Sequence, residues 1–346
     1  MDNATNSSVT GSKGESFELI ITKTSICMFV LVLSLIENIA VLVILKQNCG
    51  NRMRTANSFF IANMSAADVL FAAQNIPHAY NNYILKGRWI LLGNIGMVFC
   101  KIDVFFSLIS MVTTNLTILA IAVDRVFAVY VPFRKIITRR VCLSIIFLTW
   151  FISTLFASPM LHYADLKSKG EDFIICSLTN VEVLKTWYTV LAGILATTLI
   201  TMLTLYTAIG VKLGRRKLPG NASQRGNRRR EKRNRDIFKM LITLIIVFHV
   251  CSLPIFTLQL SYTLGFYELL KINQIRFIAL LLFFLNGAIN PIIYVTFNGS
   301  FRDGVKAALP KCCKFSRSVV YTVDRHAGTS RRSADSGNSG RSSTQL

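Results

Sequence analysis

The sequence predicts an all-α membrane protein, a seven-transmembrane helix bundle. Three observations carry that reading. The first is composition: of 346 residues, 52% are hydrophobic and 16% charged, and the mean hydropathy is +0.47. The second is segmentation. Seven apolar runs occupy about 22–46, 57–82, 98–130, 141–162, 185–210, 237–264 and 274–297. At ~1.5 Å per residue, each can cross a hydrocarbon layer about 30 Å thick. None shows the alternation of a strand, and a helix satisfies its own backbone in lipid. The third is charge. Against 17 Asp+Glu stand 39 Lys+Arg, a net charge of +22, and the basic residues collect in the gaps between runs. That placement argues against a nucleic-acid-binding face and fits cytosolic loops.

Taken in order, the first 21 residues are polar and read as an extracellular N-terminus. No basic region followed by a short apolar segment opens the chain, so no cleavable leader is read. Asn3 and Asn6 head Asn-X-Ser/Thr sequences and are glycosylation candidates. The same pattern at Asn63, Asn115, Asn221 and Asn298 falls in apolar runs or basic segments and is assigned to chance. The first gap holds Lys46, Arg52 and Arg54; the third holds Arg134, Lys135, Arg139 and Arg140. The fifth holds eleven basic residues from Lys212 to Arg235, and the tail adds Arg302, Lys306, Lys311 and Lys314. The second gap has only Lys86 and Arg88, and in the fourth Lys167 and Lys169 face Asp165, Glu171 and Asp172. Odd gaps are therefore cytosolic, with the N-terminus outside and the C-terminus inside.

The third run is the one around which the others are arranged. It carries Cys100 at one end and Asp124-Arg125 at the other. Of eight cysteines, Cys27, Cys142 and Cys251 lie within spans, and Cys49, Cys312 and Cys313 lie on the reducing cytosolic side. Cys100 and Cys176 remain at the outer face. A disulfide between them is expected, with two free thiols as the alternative. Residues 163–184 read either as a hairpin around Gly170 over the mouth of the bundle or as a plain solvated loop. Within the spans, Asn38, Asp68 and Asn290 either tie helices together by hydrogen bonds or form a polar centre that can hold a cation. Arg125 at a span end can be explained by snorkelling alone.

These residues together resemble the rhodopsin-like (class A) G-protein-coupled receptors. The matching positions are Asn38; Asn63 and Asp68; Cys100, Asp124 and Arg125; Trp150; Tyr206; Phe248, Cys251 and Pro254; and Asn290, Pro291 and Tyr294. They fall in order across all seven spans. Phe301-Arg302 then looks like the start of a short amphipathic eighth helix over 298–314, ahead of a disordered cytoplasmic tail at 315–346. The resemblance implies a plasma-membrane receptor, with a seven-helix bundle at 22–297, that activates heterotrimeric G proteins. In such receptors the arginine matching Arg125 is held by its neighbouring aspartate at rest. The cytosolic end of the sixth span then swings outward, supported by tyrosines matching Tyr206 and Tyr294. Phe248, Ser252 and Pro254 form the activation core. No cofactor is required, but Asp68, Thr114, Asn286 and Asn290 match an allosteric sodium pocket. Four positions depart from the pattern. Glu37 replaces a glycine, Val126 a tyrosine, Ser252 the sixth-span tryptophan and Thr198 the fifth-span proline.

For the ligand, Ser107 stands where amine receptors carry an aspartate, and Phe284 where opsins carry the retinal lysine. Asp103 is one turn nearer the mouth, where it meets a basic ligand group or water. With Asp165, the hairpin and Trp89, this favours a small, basic peptide. Cys312 and Cys313 are palmitoylation candidates beside membrane lipid. Ser and Thr residues of the tail fit arrestin binding once phosphorylated, and Thr344-Gln345-Leu346 fits a PDZ ligand. Two alternatives stand. One is a receptor-like protein that signals constitutively or only partners another receptor, which Ser252 keeps open. The other is a transporter or channel, against which no internal repeat or paired broken helix is visible. His78, His162, His249 and His326 are scattered without catalytic or metal spacing, so no enzyme is expected.

Overall fold

The computed structural model describes residues 16–47, 55–85, 88–131, 136–168, 174–178, 180–214, 224–266, 272–299 and 301–306. Seven long helices follow the seven apolar runs: α1 (Phe17–Gln47), α2 (Ala56–Tyr83), α3 (Gly93–Tyr130), α4 (Arg139–Tyr163), α5 (Val181–Gly214), α6 (Gln224–Thr263) and α7 (Asn273–Phe297). Several outrun their apolar stretch. The most extended is α6, whose first turns are the segment QRGNRRREKRNR. Arg, Lys, Glu and Gln are good helix formers, so the helix continues past the end of its apolar run. Thr55 and Thr138 cap α2 and α4, accepting bonds from Ser58 N and Val141 N.

Six of the seven helices carry a window apolar enough to cross a membrane; α2 does not. The reason is its buried polar set, Asn57, Asn63, Ser65, Asp68 and Asn75. These residues face other helices rather than lipid. Asn63 Nδ2 donates to Thr117 Oγ1 on α3 at 2.7 Å, and its Oδ1 accepts from Trp150 Nε1 on α4 at 2.7 Å. One amide thus joins three helices. Thr113 and Ser153 add a direct α3–α4 bond at 2.9 Å.

Helix α3 is central, packing against α2, α4, α5 and α6, while α7 closes the ring against α1, α2 and α6. The core runs through Met64, Ile118, Ile121, Met202, Met240, Leu244, Phe248 and Tyr294. The outer surface is equally apolar, with Phe147, Leu155, Ile200 and Val250 exposed. In a membrane those side chains meet lipid, and packing between helices rests on fit and polar links rather than on exclusion of water. Pro77, Pro159, Pro254 and Pro291 lie inside helices, where neighbouring helices can re-satisfy the freed backbone groups.

The loop after α4 is a hairpin. Strands β1 (Ala164–Ser168) and β2 (Ile174–Leu178) pair antiparallel with Leu166 opposite Cys176. The Cys100–Cys176 disulfide ties β2 to the N-terminal part of α3. Trp89 N donates to Ile174 O at 2.7 Å, which adds the connection between α2 and α3 to the same cap. At the other end, residues 301–306 are helical. Asn298 Oδ1 accepts from Phe301 N at 3.2 Å, and the buried Phe301 ring meets Tyr294 edge-on. This is the expected start of the eighth helix. Asn3, Asn6, Cys49, Cys312, Cys313 and the tail motifs lie outside the described residues.

Candidate functional site

Three polar clusters sit at successive depths. At the C-terminal end of α3, Arg125 Nε donates to Asp124 Oδ2 at 2.9 Å and its Nη2 reaches the same oxygen. Both side chains are mostly buried. A paired, desolvated guanidinium is hard to remove singly, since the partner charge would then be stranded. Nearby helices supply Tyr206 and Tyr294. The Tyr206 hydroxyl is buried without a partner among the described residues, and its ring packs on Phe238 of α6 at 5.5 Å. The Tyr294 hydroxyl donates only to the Met64 thioether at 3.6 Å, a weak acceptor. Two phenols thus lack strong partners and would gain by moving to one.

At mid-depth, buried Asp68 accepts from Asn290 Nδ2 at 2.9 Å. Asn38 Nδ2 donates to Ser34 O and to Gly287 O on α7, at 2.9 and 3.0 Å. Gly287 permits that approach, because a Cβ there would lie 2.7 Å from Ser34 Oγ. Thr114, Asn286 and Ser252 are also buried, and Asn286 Oδ1 and Ser252 Oγ have no hydrogen-bond partner among the described residues. Phe248 is fully buried beneath them in the apolar core. One further link has no signal in the sequence. Asn115 Nδ2 donates to Thr198 Oγ1 at 3.1 Å, joining α3 to α5.

At the hairpin end of the bundle, the carboxylate of Asp103 is engaged from α2. It accepts from Gln74 Nε2 and from His78 Nδ1, the latter at 2.9 Å. Gln74 and His78 are four apart on α2 and so share one face, a spacing readable in sequence but without a visible partner there. The three line a cavity of about 550 Å³ with Trp89, Phe99, Ile102 and Phe106. Ser107 is half-buried one turn deeper on α3. Asp165 lies on β1, where its carboxylate accepts from Leu166 N at 2.7 Å. Phe284 does not line this cavity. It is buried in a ring cluster with Phe71 and Phe283.

The architecture agrees with a comparison against known families. The family described as the 7 transmembrane receptor (rhodopsin family) matches residues 37–294. The chain belongs to that family. Among curated proteins, the receptor is similar to the tachykinin-like peptides receptor 99D of Drosophila melanogaster, 28% identical over 301 residues. That match covers 83% of this chain and 56% of the fly protein, so the receptor spans little more than half of that relative's length. It is also 27% identical over 300 residues to the substance-P receptors of Mus musculus and Homo sapiens, covering 84% of this chain and 71% of each relative. The departures from the family pattern have definite surroundings. Thr198, in the place of the fifth-span proline, is the acceptor for Asn115. Ser252, in the place of the tryptophan, brings a small buried hydroxyl where the family has a large ring.

Proposed function

We propose that the receptor sits in the plasma membrane with its N-terminus outside, binds an extracellular peptide and activates heterotrimeric G proteins. The observation that carries this is a single rigid element with different chemistry at each end. Helix α3 is fastened to the outer hairpin at Cys100 and presents the Asp124–Arg125 pair roughly 37 Å away at its cytosolic end. A ligand at the hairpin cannot touch Arg125, so coupling passes through helix packing and is reciprocal for binding. The peptide class is supported by relatives whose names describe peptide receptors and by Ser107, which gives a small amine no counter-ion. Asp165 on the hairpin is the acidic contact offered to a basic peptide, since Asp103 is already engaged by Gln74 and His78.

The test is agonist-dependent nucleotide exchange on purified G protein, with a panel of short peptides and of biogenic amines. Exchange with a peptide, weakened by Asp165→Asn, is the expected result. Robust exchange with a small amine, unaffected by that change, rejects the peptide reading. Arrestin binding to the phosphorylated tail, a PDZ partner at Thr344-Gln345-Leu346 and palmitoylation of Cys312 and Cys313 belong to the same proposal.

The mid-depth cluster fits a sodium ion. Asp68 supplies a buried carboxylate, and the unpartnered Asn286 Oδ1 supplies a neutral oxygen; Thr114 and Asn290 complete the set. A cation held there would neutralise Asp68 and favour the resting packing by binding it better. Agonist affinity should fall when sodium replaces a larger cation at constant ionic strength, and Asp68→Asn should erase that difference. An identical sodium response in parent and variant removes Asp68 from the mechanism.

A further inference from the structure

The cavity beside Asp103 is not a simple mouth onto water. Pro77 and Tyr80 of α2 and Phe99 and Ile102 of α3 line it and are exposed on the outside of the bundle. Gln74, His78 and Asp103 line the same cavity from within. The space therefore runs from the membrane side through the cleft between α2 and α3 to a polar end. Its volume of about 550 Å³ lies within the ~300–1,000 Å³ of small-molecule sites. In the outer half of a span, the medium at such a cleft is lipid rather than water.

The polar end has a definite chemistry. Asp103 accepts from both Gln74 and His78. A carboxylate can only accept, so Nδ1 of His78 carries a proton, and in the tautomer that this bond selects the ring's Nε2 is a lone-pair acceptor. The His78 side chain is 35% exposed, so its far edge is reachable. The cavity offers mostly apolar walls with acceptor groups gathered at one end, the His78 Nε2 among them. We infer that it binds a membrane-borne amphiphile, an apolar chain ending in a hydrogen-bond donor such as an amine, amide or alcohol, which enters sideways between α2 and α3. A carboxylate head is disfavoured, since it brings no donor and stands beside Asp103. This goes beyond the peptide reading and does not depend on it.

The probe is a long-chain ethanolamide bearing a photoreactive diazirine, applied to the purified receptor in phosphatidylcholine vesicles. A methyl ester of the same chain lacks the donor. Mass-spectrometric mapping should place the ethanolamide label on segments 74–81 and 99–106, exceeding the ester by about fivefold, the net worth of one hydrogen bond. His78→Leu should remove that preference, and Ile102→Trp should narrow the cleft and reduce both probes. Competition between unlabelled ethanolamide and ester on the parent receptor asks the same question without a variant. Equal labelling by the two probes, or equal competition, overturns the donor assignment. Label spread over the outer faces of α4, α5 and α6, unchanged by Ile102→Trp, overturns the site.

Discussion

Nucleotide exchange per surface receptor should fall at least ~10-fold in Arg125→Ala, the equivalent of losing charge-assisted bonds worth about 1.5–3 kcal/mol. Antagonist affinity should hardly change, because the ligand end of α3 is untouched. The gain in agonist affinity conferred by bound G protein should disappear with the exchange, since the two are one coupling free energy. Asp124→Asn should act in the opposite sense. It weakens the grip on the guanidinium, which accepts nothing and relies on Asp124 Oδ2 for both of its bonds here, and basal exchange should rise. A purely anchoring arginine makes a different prediction: fewer receptors at the surface, each signalling normally. Near-parental exchange per receptor in Arg125→Ala would discard the coupling role.

The second large effect is expected at the other end of the same helix. Cys100→Ser and Cys176→Ser should each cut surface expression and ligand binding severely. The bridge closes a sequence separation of 76 residues, worth roughly 4 kcal/mol in the chain-entropy model. It also fixes β2 on α3. The double variant should be little worse than either single one, because both remove the same bond. Clearly additive losses, measured as surface receptor and as binding per receptor, would mean that the two sulfurs act separately.

Much of the fold is legible in the order of the amino acids. Hydropathy places all seven helices, and α2 shows why a pattern can be read where a threshold fails. Its Asn63 and Asp68 depress the mean hydropathy, yet they are the residues that bind it to α3, α4 and α7. The disulfide also follows from sorting the cysteines by side. The pairings across helices do not. Asn115 and Thr198 are 83 positions apart, and nothing in a periodic apolar run states the rotation of one helix against another. For that reason the sequence shows Asn115 only as a chance sugar site and does not link Gln74 and His78 to Asp103. Phe284 shows how far local packing is hidden from a run. Its place in the run suggests a ligand contact, while local packing turns the ring toward Phe71.

Polar links are unevenly distributed in this bundle. Helices α2, α3 and α4 are hooked together through Asn63, Thr117, Trp150, Thr113 and Ser153. On α6, by contrast, Thr243, His249 and Thr257 all return their side-chain bonds to carbonyls of their own helix. Its buried face is mainly Met240, Leu241, Leu244 and Phe248, joined by His249 and Ser252, and its outer face Ile246, Val250 and Leu253. Mechanically, the first trio is a chassis, while α6 is seated against it largely by apolar side chains. In the activation proposed above, resistance to a swing of α6 would come from side-chain interlock and the lateral pressure of the surrounding acyl chains, so bilayer thickness and stiffness should set how readily the face beside Arg125 opens.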